Sequence, residues 1–170
     1  LPMLDYIGTT NLPVLLSTGL ASWDEITEAR SFFTDKECVL FQCTTQYPSQ
    51  PETWGLNNVD EFIERFPDCV IGLSDHSGEI FPSIAAYAKG ARVFEVHVAW
   101  SKAMFGPDST ASLDFSQFNE LVRGLENLAK CEDNPVNKDI LRAKNDELHK
   151  LFGRSVFAAR SIEEGKVLAE

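Results

Sequence analysis

Short apolar runs alternate with amphipathic stretches along most of this chain. Val14-Leu15-Leu16-Ser17-Thr18-Gly19 is an apolar run closed by glycine, the pattern of a buried parallel strand. Ser22-Trp23-Asp24-Glu25 then has the spacing of a capping box, and Ile26, Ala29, Phe32 and Phe33 supply the apolar stripe of the helix it starts. A second strand is predicted over 38–44, followed by a Pro-rich loop through Tyr47-Pro48-Ser49-Gln50-Pro51. A helix over 58–66 buries Val59, Phe62, Ile63 and Phe66. A third strand over 69–74 leads to a helix over 80–89, closed by Gly90 as its C-cap. The fourth strand covers 92–98, and a long loop through Gly106-Pro107-Asp108 precedes a helix over 116–129.

Four strand–helix units in succession predict an α/β fold with a parallel sheet and helices outside it. The pattern leaves a doubly wound sheet and a barrel both open. After Lys130 the polar stretch Cys131-Glu132-Asp133-Asn134-Pro135 reads as a linker, with one more helix over 138–151. Arg154 to Ala159 is strand-like again, and Ile162-Glu163-Glu164-Gly165-Lys166-Val167 reads as a turn into another strand.

Charge narrows the partners. The 170 residues carry a formal net charge of -11, which argues against nucleic acid and anionic membrane surfaces. No apolar stretch approaches the roughly 20 residues of a membrane span. Leu1-Pro2-Met3-Leu4-Asp5 lacks the basic and apolar regions of a signal peptide. Cys38, Cys43, Cys69 and Cys131 form no C-x-x-C pair and read as reduced thiols of a cytoplasmic protein, with Cys43 inside an apolar run.

Polar residues gather where the strands end. Ser17-Thr18-Gly19, Thr44-Thr45-Gln46-Tyr47, Ser74-Asp75-His76 and Glu95-Val96-His97 all fall at the carboxyl side of a parallel sheet, where α/β folds collect function. Side-chain alternation puts Ser74 with His76, and Glu95 with His97, on one face. Two imidazoles on neighbouring strand ends suit one divalent ion with positions left for water and substrate. The alternative is a loop histidine at 76 and a hydrogen-bonded interior histidine at 97. Ser74-Asp75-His76 is no proton-relay triad, since adjacent strand residues face opposite ways. No G-x-S-x-G, P-loop or G-x-G-x-x-G is present. His149 reads as a solvated helix histidine, and Gly106-Pro107-Asp108 as a turn or a lid.

Five blocks, Leu16 to Ala21, Cys43 to Pro48, Gly72 to Ser77, Glu95 to His97, and Phe105 to Asp108 with Ser112-Leu113, resemble successive blocks of the sialic acid synthase family. The tail from Arg154 to Leu168 is similar to the opening of that family's antifreeze-like (SAF) domain. The resemblance implies a (β/α)8 TIM barrel of which 1–130 supplies strands five to eight, a helical linker over 131–153, and the start of a β-rich SAF domain over 154–170. It further implies that His76 and His97 bind Mn2+ or Mg2+, and that Ser17 and Ser74 contact phosphoenolpyruvate. Thr45, Tyr47 and Glu95 would hold an amino-sugar acceptor, with Asp108 a further substrate position and Glu95 and Asp75 the catalytic carboxylates.

The product would be a nonulosonic acid for surface or spore-coat polysaccharide, made by a homodimer once the first half-barrel, with its phosphate-binding lysines, is present. This stretch alone is expected to be inactive. Thr45 stands where the family commonly has Asn, and Val96 where it has Lys or Arg, which points away from N-acetylmannosamine towards legionaminic- or pseudaminic-type precursors or, equally, a surface or spore-coat polysaccharide sugar. Two other readings are a deoxy-sugar-acid phosphate synthase and a non-catalytic carbohydrate-binding protein on the same scaffold.

Overall fold

The structure is a computed structural model describing residues 2–167; Leu168 and the rest of the expected SAF segment, 168–170, lie outside the described residues. It falls into two compact units, one reaching Lys130 and the other starting at Cys131. In chain order the first unit holds α1 (Pro2–Gly8), β1 (Val14–Ser17), α2 (Trp23–Ser31), β2 (Cys38–Cys43), α3 (Asn57–Arg65), β3 (Val70–Asp75), α4 (Phe81–Ala88) and β4 (Val93–Val96). It also holds most of α5 (Phe115–Asp133), which runs into the second unit.

The strands form one parallel sheet in the order β1-β2-β3-β4. That order decides between the two architectures open to the sequence. A doubly wound sheet reverses direction partway and covers both faces with helices, whereas a barrel adds strands in sequence and keeps its helices outside. Here one face carries Val14, Leu16, Cys38, Leu40, Ile71, Leu73 and Phe94, packed with Ile26, Phe33, Val59, Phe62, Phe66 and Ala86 from the helical layer. The other face is open: Leu15 is 59% exposed and Val70 46%.

Local chemistry accounts for the helix ends. Ser22 caps α2 in a full capping box with Glu25, as its spacing predicts. Gly90, at φ 109, follows the C-cap of α4 in the left-handed region that favours glycine. Elsewhere the structure departs from the polarity pattern. Cys131, Glu132 and Asp133 continue α5 instead of starting a linker, because charged side chains are compatible with an exposed helix and the first breaker is Pro135. The single helix expected over 138–151 is two, α6 (Lys138–Lys144) and α7 (Asp146–Phe152). Asn145 sits between them at φ -114, ψ 34, its amide donating to the Leu141 carbonyl in competition with the helix. Among the described residues from Arg154 to Val167 there is no strand, and Val156 and Phe157 are exposed. An extended segment needs a neighbour to take its backbone hydrogen bonds, and none is paired here. No helix among the described residues is long and apolar enough to cross a membrane.

Candidate active site

Register turns the open face into rows of side chains. Leu15, Val39 and Val70 lie side by side, and the next row along the strands is Ser17, Phe41, Gly72 and Val93. The third is Cys43, Ser74 and Glu95, with His76 and His97 at the carboxyl ends beyond it. Gly72 explains the floor. A Cβ there would stand 2.6 Å from Phe41 Cδ1 and 2.7 Å from the Val93 carbonyl oxygen, so only glycine lets the Phe41 ring lie across the sheet. Phe41 is thereby buried to 1% exposure on the same face whose outer rows leave Leu15 and Val70 exposed.

Above that floor, the Ser74 hydroxyl donates to Glu95 Oε1 at 2.6 Å. His76 is buried, and its Nδ1 lies 2.9 Å from the Thr44 carbonyl oxygen. A carbonyl only accepts, so Nδ1 carries a hydrogen, and in the neutral ring this tautomer leaves the lone pair on Nε2. The His76 carbonyl in turn accepts from Ser49 N at 3.0 Å, stitching the loop after β2 to the end of β3. The His97 ring stands 5.1 Å from that of His76 at 85°, and its Nδ1 is 3.8 Å from Asp108 Oδ2. Tyr47 lies against both imidazoles, centroid to centroid 4.3 Å from His76 and 5.8 Å from His97. Its hydroxyl is 3.4 Å from His76 Nε2. Burial, then the neighbouring Cys43, Asp108 and Glu95, raise the Tyr47 phenol above its usual range, so it keeps its proton.

The structure thus gathers His76, His97, Tyr47 and Asp108 into one group, with Ser74 and Glu95 on the row beneath. Among the described residues no three His, Cys, Asp or Glu side chains make a metal-binding cluster, so the imidazoles stand as a pair. Ser17 is exposed on the edge strand β1, in the row of Phe41. Thr45 is set apart beside Gly19, its Oγ1 3.3 Å from where a Cβ on that glycine would be. It helps line a cavity of about 590 Å3 with Thr18, Trp23, Gln42 and Asn58.

Asp75 faces the other way. Its carboxylate accepts from the Ser77 hydroxyl at 2.7 Å and the Ser77 amide at 3.2 Å, organising the turn after β3. Burial raises its pKa above the ordinary aspartate value. Val96 is opposite Asp75 in register, so the departure at 96 falls on the helix side of the sheet and not on the open face. One site residue escapes the sequence pattern. Cys43 reads as a thiol in an apolar run, yet it stands in the row of Ser74 and Glu95, and burial pushes its thiol up. The available signal is parity: Cys43 lies an even number of residues before Tyr47, as Ser74 does before His76.

Comparison with known proteins bears on the family and the fold. The model of the NeuB family matches residues 1–137. The chain is 35% identical over 170 residues to human N-acetylneuraminate-9-phosphate synthase, covering 98% of this chain and 46% of that protein. It is 30% identical over 168 residues to pseudaminic acid synthase of Campylobacter jejuni, covering 96% and 48%. Among solved structures, the N-acetylneuraminic acid synthetase of Leptospira borgpetersenii, crystallised with citrate, superposes with a TM-score of 0.76 at 25% identity, over 91% of this chain and 55% of that one. The chain therefore spans about half the length of the curated relatives it matches.

Proposed function

Since the chain belongs to the NeuB family, we propose that it forms the second half of a TIM-barrel synthase joining phosphoenolpyruvate to the open-chain aldehyde of an amino sugar. The enol carbon forms the new C–C bond to the aldehyde carbon, water adds at the phosphate-bearing carbon, and the phosphate leaves from it, so that one water is consumed and the products are a nonulosonic acid and inorganic phosphate. The observation that carries this reading is the convergence, at the carboxyl ends of β3 and β4, of two imidazoles over a hydrogen-bonded Ser–Glu pair.

The donor set fits a divalent ion such as Mn2+ or Mg2+. His76 is braced through Nδ1 by a carbonyl, the outer partner that a ligating imidazole ordinarily has, and that brace frees Nε2 as the ligand atom. His97 has the Asp108 carboxylate near its own Nδ1. The remaining positions go to water and substrate oxygens, and the ion, when bound, supplies Lewis-acid polarisation of the acceptor's carbonyl.

The chain's own residues do the rest. The Ser74 hydroxyl, with Ser17 across the sheet, donates to the anionic oxygens of phosphoenolpyruvate. Glu95, released by Ser74 when that proton turns to the anion, accepts hydrogen bonds from acceptor hydroxyls and holds the aldehyde carbon against the enol carbon. Tyr47 borders the acceptor, Thr45 reaches it only from the neighbouring cavity beside Gly19, and Phe41, seated over Gly72, forms the floor. Asp75 holds the turn that carries His76 and acts on the reaction only through that turn. The cations for the phosphate and carboxylate come from the part of the relatives' length that this chain does not span, and the complete protein works as a homodimer in the cytoplasm.

The test is phosphate release by the complete protein from phosphoenolpyruvate with a panel of amino-sugar acceptors, with and without Mn2+. Metal-dependent release with at least one acceptor is expected. No release with any acceptor, from a folded protein that binds Mn2+, would refute the reading. The 170-residue chain assayed alone is expected to be inactive.

A further inference from the structure

The loop after β2 does more than border the site. It carries Tyr47 directly over His76, with the two rings 4.3 Å apart and tilted by 32°. That placement is held from several sides. Gln46 N donates to the Thr44 carbonyl at 2.8 Å, the same oxygen that takes His76 Nδ1–H. The Thr53 hydroxyl donates to Gln46 Oε1 at 2.8 Å, and Ser49 N reaches the His76 carbonyl.

The brace on Nδ1 leaves one lone pair on the His76 ring, at Nε2. The nearest hydroxyl to it is that of Tyr47, at 3.4 Å. In the neutral ring with its hydrogen on Nδ1, Nε2 accepts a hydrogen bond from the Tyr47 hydroxyl, which keeps its proton. The lone pair a cation would need is therefore already engaged.

We infer that Tyr47 is the gate of the cation site: its hydroxyl holds His76 Nε2 while the site is free and has to withdraw when a divalent ion takes that lone pair. This rests on the reading of His76 and His97 as the metal pair. It makes Tyr47 a positioning residue that sets metal affinity, separately from any contact with the acceptor. The ion gains the bond to Nε2 only after the phenol's hydrogen bond is given up, so wild-type affinity is lower than the two imidazoles alone would provide. A hydrogen bond as long as this one is at the weak end of the usual range, so its removal should tighten binding by about two- to fivefold.

The experiment is a Mn2+ titration followed by the electron paramagnetic resonance of the free ion, on the complete protein without phosphoenolpyruvate or sugar. Wild type, Tyr47→Phe and His76→Ala are compared, with circular dichroism to establish that each is folded. Tyr47→Phe keeps the ring against His76 and removes only the hydroxyl. It is expected to bind Mn2+ about two- to fivefold more tightly than wild type, while His76→Ala loses binding. Unchanged affinity in Tyr47→Phe would overturn the gate. Weaker affinity would overturn it in favour of Tyr47 as a ligand. If neither wild type nor Tyr47→Phe binds Mn2+, the metal pair itself falls and the gate with it.

Discussion

Replacing Gly72 by alanine tests how the floor of the site is built. Gly72 is not at a positive φ, so the methyl meets no intrinsic backbone strain and the cost is steric. The new Cβ would stand 2.6 and 2.7 Å from the Phe41 ring carbons Cδ1 and Cε1 and 2.7 Å from the Val93 carbonyl oxygen. The ring has to lift off the sheet, but the carbonyl belongs to the β3–β4 ladder and moves only with the strand. Overpacking of this kind costs about 1–3 kcal/mol, and two obstacles of which one is backbone put it near the top of that range. The loss of unfolded-chain entropy on going from glycine to alanine returns about 0.4–1 kcal/mol. The net expectation is a destabilisation of about 2 kcal/mol, or roughly 1 M in urea midpoint for a slope of about 2 kcal/mol/M. Equilibrium urea unfolding of the complete protein reads this out. Phe41→Leu in the same background should recover part of the loss, giving a coupling energy of about 1 kcal/mol between positions 41 and 72. A Gly72→Ala midpoint within about 0.2 M of wild type, with strictly additive effects in the double variant, would refute the account.

Three further outcomes are expected. Ser77→Ala removes the 2.7 Å hydroxyl hydrogen bond from the buried Asp75 carboxylate and leaves it backbone amides alone, at a cost of about 1–3 kcal/mol at pH 7. Because the folded-state pKa of Asp75 is raised, the ionised group weighs against folding, a penalty absent below its unfolded pKa and complete above its folded one. The Ser77→Ala deficit should accordingly shrink as pH falls, and equal deficits at pH 7 and pH 4.5 would contradict it. Burial, then the neighbouring Cys69, pushes the Cys38 thiol up to about 11, so it should label with thiol reagents far more slowly at pH 8 than the exposed Cys131; peptide mapping of a time course decides. As a raised thiol pKa favours the neutral folded form, the Cys38 contribution to stability is complete below about pH 9 and lost as pH rises through about 11. Thr45, in place of the family's asparagine, offers one hydroxyl where an amide has two ends, so N-acetylmannosamine should give a lower kcat/KM than diacetamido sugars; equal values across the panel would remove position 45 from specificity.

Much of this protein follows from residue order alone. Apolar runs at 14–17 and 38–43, the Ser22–Glu25 cap and the glycine after α4 place strands and helix ends, because these signals act between neighbours a few residues apart. Period-two alternation likewise puts Ser74 with His76 and Glu95 with His97, and the motif blocks name the family. What lies between elements was beyond it. Whether four parallel strands add in sequence or reverse depends on how helices pack across the sheet, and only the β1-β2-β3-β4 order decided that. Register, a relation between strands, brought Cys43 beside Ser74 and sent Val96 to the helix side with Asp75. The proton on His76 Nδ1 was decided by a carbonyl 32 residues away, and the fit of Phe41 by the missing Cβ of Gly72 on the next strand. The helix limit at Asp133 turned on the place of Pro135, and that at Asn145 on competition between backbone and side-chain hydrogen bonds, neither of which polarity records. Local pattern determines where elements form because it is written in adjacent residues; the site is made by residues that become adjacent only when the chain folds.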